Sequence, residues 1–224
     1  MEKNNWSFLY KTAGIIAWIT LGLIPIQIVI FILWPPPTTV LDFYSLFQKN
    51  ALIGLFDLDL LYLLTVLFMG YLYLAFFAAL INTHKSIATI ALALGLIGVA
   101  VYFVSNVSFE MMSLSNQYLL AETNELKTIL LTTGKVMLTR YHGTAFGVYY
   151  ILNGLSLVLF SVAMIRNEVF SKKTAYIGLV AGILMLVPST IGMVGMIFAL
   201  TSLIPTSIWL FMIARRLNQI ENEN

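Results

Sequence analysis

The chain contains no cysteine, and only 10% of its 224 residues are charged. The first absence excludes disulfides, thiolate nucleophiles, Cys-ligated zinc and iron–sulfur clusters, and it leaves the redox compartment unreadable. The second, together with 60% hydrophobic residues and a mean hydropathy of +0.92, excludes an ordinary soluble domain, because a core of this size cannot hide so much apolar surface. Net charge is also scarce: a value of +2 with no long basic run argues against a nucleic-acid partner. No G-x-S-x-G, H-E-x-x-H, P-loop or dinucleotide-binding glycine fingerprint occurs. No cofactor is expected.

What is present is a series of uncharged stretches about as long as a bilayer core requires, roughly 20 residues each. Thr12 to Trp34 is the first, ended by Pro35-Pro36-Pro37, which cannot continue a helix. A signal peptide is the rival reading of this stretch, but its apolar run is too long and no small-x-small cleavage pattern follows. Leu58 to Ile81 and Ser86 to Ser105 are the second and third, separated by Asn82-Thr83-His84-Lys85. Gly143 to Ile165 is the fourth. The uncharged run from Thr174 to Ala214 is too long for one crossing, so it is expected to turn at Pro188-Ser189-Thr190-Ile191-Gly192, leaving a short fifth span, 174–188, and a sixth, 193–214. A single kinked span is the alternative.

The expected fold is therefore all-α: a polytopic transmembrane bundle of six spans forming a single membrane domain over residues 1–224. Charge distribution tests the count independently. With the N-terminus cytoplasmic, one side receives Lys3, Lys11, Lys85, Arg166, Lys172, Lys173, Arg215 and Arg216, and the other only Lys49, Lys127, Lys135 and Arg140. This bias places both termini in the cytoplasm of a multi-pass protein of the cell membrane. Trp6, Trp18, Trp34 and Trp209 fall near span ends, where interfacial anchors are common.

Two connections carry structure of their own. Residues 40–56 mix apolar residues with Asp42, Gln48 and Lys49, which suits a segment at the interface. The long outer connection 106–142 carries Leu119, Leu126, Leu130, Met137 and Tyr141 at steps of seven and four, the stripe of an amphipathic helix, with Gly134 a place for a break.

The spans themselves hold no Lys, Arg, Asp, Glu or His between their rims. Ion-coupled transporters and retinal proteins keep such groups at depth, so their absence argues against these classes. Gln27, Thr65, Asn153, Ser156 and Ser161 remain, and interhelical hydrogen bonding is their ordinary use. The glycine pairs Gly143/Gly147 and Gly178/Gly182 have the spacing of close helix approach. Chemistry is therefore sought at the outer mouth, in Asp57, Asp59, Glu110 and His142 with Asn153 beneath them, because carboxylates and a histidine are the ingredients of a ligand, metal or acid/base site. Helix capping explains Asp57 and Asp59 without any function. Asn5-Trp6-Ser7 and Asn106-Val107-Ser108 match the glycosylation sequon, a weak motif.

At Phe56-Asp57-Leu58-Asp59-Leu60-Leu61-Tyr62, Ser108-Phe109-Glu110-Met111 with Ser113 to Tyr118, and Gly143-Thr144-Ala145-Phe146 before Tyr149-Tyr150, the chain resembles a family of bacterial and archaeal multi-pass membrane proteins known only as a domain of unknown function. The resemblance implies the six-span architecture and no activity. Three functions stay open: binding of a membrane lipid or other hydrophobic small molecule within the bundle; an outer-leaflet enzyme using the rim acids and His142, with or without a metal; and an accessory subunit or homo-oligomer that buries its small-residue faces against a partner.

Overall fold

The computed structural model describes residues 6–141 and 143–223, with side chains through Ile220. Among the described residues it is helical throughout, with nine α-helices joined by short turns and no strand. Helix α1, Ser7–Leu33, carries Pro25 and stops before the three prolines. Next come α2, Val40–Lys49, whose N-terminal amides are capped by the Thr39 hydroxyl, and α3, Ala51–Asp57, capped by the Asn50 side chain.

Helix α4, Leu60–Ser105, runs for 46 residues but leaves helical geometry at His84, where φ is −135° and ψ is 52°. The chain doubles back there. Tyr62 meets Tyr102 with ring centroids 5.3 Å apart, and a Cβ on Gly95 would stand 2.5 Å from the Tyr73 ring. The two legs of α4 correspond to the second and third expected spans. The polar tetrad between them is tied to a neighbouring turn: His84 Nε2 lies 3.1 Å from the Arg166 carbonyl, and Asn167 donates to the Thr83 hydroxyl at 2.6 Å.

The connection expected at 106–142 is two helices, α5 (Ser108–Leu120) and α6 (Asn124–Tyr141), followed by α7, Thr144–Ile165. The break falls at Ala121-Glu122-Thr123 and not at Gly134. Gly134 instead lets α6 approach α2, since a Cβ there would stand 2.5 Å from both the Tyr44 hydroxyl and Val40. Leu130 and Tyr141 of the expected stripe are buried, whereas Leu119 and Leu126 are exposed. Phe43, Tyr44 and Phe47 of α2 pack with Val107, Met111 and Tyr141 into a small core of their own at this end of the bundle.

Helices α8, Lys172–Met185, and α9, Gly192–Glu223, form the last hairpin, with Gly192 at a left-handed φ of 62° just after the Pro188 turn. Gly178 and Gly182 are where the close approach occurs. A Cβ on Gly182 would lie 3.0 Å from the Gly154 carbonyl oxygen of α7, and one on Gly178 would lie 2.5 Å from Trp209 Nε1. The other pair behaves differently: Gly147 has open space around it, and a Cβ on Gly143 meets only the preceding turn. Trp209 is likewise no interfacial anchor. It is fully buried, packed edge-on against Phe76 at 5.3 Å, in an aromatic core that also includes Tyr73, Phe160 and Phe170.

Among the described residues, four helical stretches are long and apolar enough to cross a membrane: Ser7–Leu33, Leu60–Leu120, Asn124–Ile165 and Gly192–Ile220. Their outward faces are studded with exposed Ile, Leu, Val and Met, among them Ile32, Ile97, Met193 and Leu200. That surface suits a hydrocarbon solvent.

Candidate functional site

Asp57 ends α3 and Asp59 precedes α4, so the chain must turn between helices across Asp57-Leu58-Asp59. Asp59 makes that turn in the left-handed region, φ 65°, which disfavours most side chains and which Asp tolerates better than most. Helix capping does not account for either acid. The Asp59 side chain makes no cap hydrogen bond, and Asp57 stands at the C-terminal end of its helix, where the dipole disfavours a carboxylate. Asp59 instead accepts hydrogen bonds from Gln27 Nε2 of α1, at 3.0 Å, and from the Tyr141 hydroxyl of α6. Three helices are thus tied together at one carboxylate.

Asp57 is more unusual. It is only 4% exposed, and neither of its oxygens has a hydrogen-bond partner. Buried carboxylates are ordinarily paired or hydrogen-bonded, since leaving the charged form bare in a low-dielectric interior is costly. Burial, with the neighbouring Asp59 charge adding to it, pushes the Asp57 carboxyl up to about 6.

Below the acids the α4 hairpin and α7 assemble a cluster of tyrosines. The Tyr62 and Tyr149 hydroxyls are 2.8 Å apart, and the Tyr102 ring packs against both rings, its centroid 5.3 Å from that of Tyr62 and 4.8 Å from that of Tyr149. Phe146 and Tyr150 close the group. The Tyr102 hydroxyl is fully buried and has no hydrogen-bond partner. One turn further along α7, Asn153 accepts from the Tyr73 hydroxyl at 2.8 Å and donates to the Tyr149 carbonyl at 3.2 Å, in space left by the missing Cβ of Gly98. Its polar atoms are engaged by the bundle itself. Deeper still, Ser161 Oγ and Trp209 Nε1 also lack partners, on either side of Gly178.

Of the residues expected at the mouth, the structure brings together Asp57 and Asp59, with Asn153 in the same column as an interhelical tie. Glu110 is exposed in the first turn of α5, and His142 lies outside the described residues. The guanidinium of Arg140 donates to the Val104 carbonyl at 2.8 Å. Among the described residues no group of three or more His, Cys, Asp or Glu converges. Gln27, Tyr102 and Tyr141 are site residues that sequence reasoning did not assemble. Gln27 is visible in the sequence as a polar residue inside a span, but its pairing with Asp59, 32 positions away, is not.

Beside this cluster, where α6 meets the start of α7, a groove of about 630 Å³ is open to the surface. Lys135, Arg140, Thr132 and Thr139 supply its polar rim, and Val136 and Ala145 its apolar wall. A second groove of about 380 Å³, between α8 and α9, is lined by Ile177, Val180, Leu184, Ile204 and Ile208 with Tyr176 and Thr201.

A chain whose described residues fold as helices, with four stretches long and apolar enough to cross a bilayer, is a helical membrane protein. It belongs to the family described as Domain of unknown function (DUF4386), whose model matches residues 12–217. Neither a curated protein nor a solved structure is similar enough to match it.

Proposed function

We propose that the chain is a six-span protein with both termini in the cytoplasm that binds an anionic membrane lipid at its outer end. The six spans are α1, the two legs of α4, α7, α8 and α9. In support, Gly14 packs on Asn218 and Arg216 donates to the Val169 carbonyl at 2.5 Å, so that with His84 and Arg166 the basic turns collect at one end, as a cytoplasmic face would. Reporters fused after Arg216 and within His84-Lys85 are expected to read cytoplasmic, and one inserted near Asn124 extracytoplasmic. A C-terminal reporter on the outer side would overturn the arrangement.

The groove between α6 and α7 carries the lipid reading. Two exposed cations and three threonine hydroxyls stand with an apolar wall at the start of a membrane-crossing helix. A phosphate there meets Lys135 and Arg140 while its acyl chains follow α7 into the bilayer. Native mass spectrometry of the gently purified protein is expected to show retained anionic lipid. Lys135→Glu combined with Arg140→Glu should reduce retention on the order of tenfold, as each cation near an anionic headgroup contributes roughly 1 kcal/mol. Equal retention of zwitterionic and anionic lipid by the unaltered chain would refute the reading.

A further inference from the structure

The bare carboxylate of Asp57 does not line that lipid groove. Three observations bear on it. Two acids two positions apart are held at the same turn, and Gln27 and Tyr141 fix the second of them. Both oxygens of the first are buried and unpartnered. The Tyr102 hydroxyl, also buried and unpartnered, stands within electrostatic reach of Asp59 and Tyr141.

We propose that Asp57, Asp59 and the Tyr102 hydroxyl form a buried binding site for a hard divalent cation of the calcium or magnesium class. The charge is right, since two carboxylates balance one divalent ion. The donors are right as well: among the described residues they are oxygens, which hard cations prefer and soft transition metals do not. Asp59 keeps free lone pairs after accepting from Gln27 and Tyr141, because a carboxylate has about four acceptor sites. The cation supplies what Asp57 lacks in the fold, a partner for its charge. It would also draw α3, α4 and α1 to one point through Asp57, Asp59 and Gln27.

The test is thermal unfolding of the full chain in mild detergent, stripped with chelator, dialysed, and then given millimolar calcium or magnesium chloride against choline chloride at equal ionic strength. Calcium or magnesium should raise the melting temperature by about 5 °C or more at saturation. Asp57→Asn should melt at the same temperature with and without the cation. Tyr102→Phe keeps the ring and loses only an unpaired hydroxyl, so it folds, and it should need about tenfold more cation for the same shift. Glu110→Gln, at an exposed position, should respond like the unaltered chain. No shift beyond that of choline, or the same shift and midpoint in Tyr102→Phe or Asp57→Asn as in the unaltered chain, would overturn the proposal. So would loss of the response in Glu110→Gln, which would place binding at the surface.

Discussion

In chelator, Asp57→Asn is expected to melt several degrees above the unaltered protein at neutral pH and at nearly the same temperature near pH 4. The folded chain holds the Asp57 carboxyl at about 6 against an ordinary 3.8, a difference equivalent to roughly 3 kcal/mol when the group is ionised. The sign follows from which state holds the proton more tightly. Above about 6 both folded and unfolded chains are ionised there, and the folded state bears the full cost of a bare buried charge. As pH falls through that value the folded state takes up a proton first and gains stability, and the gain levels off below 3.8, where the unfolded chain is protonated too. An amide of the same shape carries no charge at any of these values, so its profile should lack this rise. Melting curves of the two proteins at several values between pH 4 and pH 7.5 or so decide the matter. Parallel profiles would mean that Asp57 is satisfied by a partner the fold supplies.

Gly182→Leu should be strongly destabilising. The α7–α8 contact is reciprocal: a Cβ on Gly182 would meet the Gly154 carbonyl oxygen and the Val158 amide at 3.0 Å, and one on Gly154 would meet the Gly182 carbonyl at the same distance. The obstacles are backbone atoms, which cannot rotate aside as a side chain tip does. A leucine forces the helices apart along α8, which has only 14 residues with which to hold on. A loss of about 3 kcal/mol or more is expected, seen as a lower melting temperature or an aggregated elution profile. Gly147→Leu is the internal control, because nothing lies within 4 Å of its Cβ position. It should change stability by less than about 1 kcal/mol. If the two variants behave alike, small residues are not what brings these helices together.

That contrast shows where sequence reading reaches its limit. Gly143/Gly147 and Gly178/Gly182 have the same spacing, but only the second pair packs against neighbouring helices, Gly182 on backbone and Gly178 on the Trp209 and Ser161 side chains. Spacing tells which residues share a helix face, and it is silent on what that face meets. The helical stretches were legible because hydrocarbon admits so little charge, and the reversal at His84 because four polar residues interrupt an apolar run there. Asp57 and Asp59 stood out for the same reason. Glu110 stood out equally, yet the structure exposes it, since the outward or inward orientation of an acid on a short helix depends on tertiary packing. Trp209 was misplaced in the same way: its position near a span end suggested an anchor, while its contacts with Phe76 put it in the core. The tyrosine cluster was invisible because Tyr62, Tyr102 and Tyr149 are far apart in sequence and meet only through the α4 hairpin and its packing on α7.

In the proposed six-span arrangement, the shortness of α8 bears on the surrounding bilayer as well as on the protein. Its 14 residues extend about 21 Å, against roughly 30 Å of hydrocarbon in an average bilayer. Lipids beside this helix must compress or tilt to cover it, at a fraction of a kcal/mol for each ångström of mismatch. In that arrangement such a thin edge would favour thinner membrane regions.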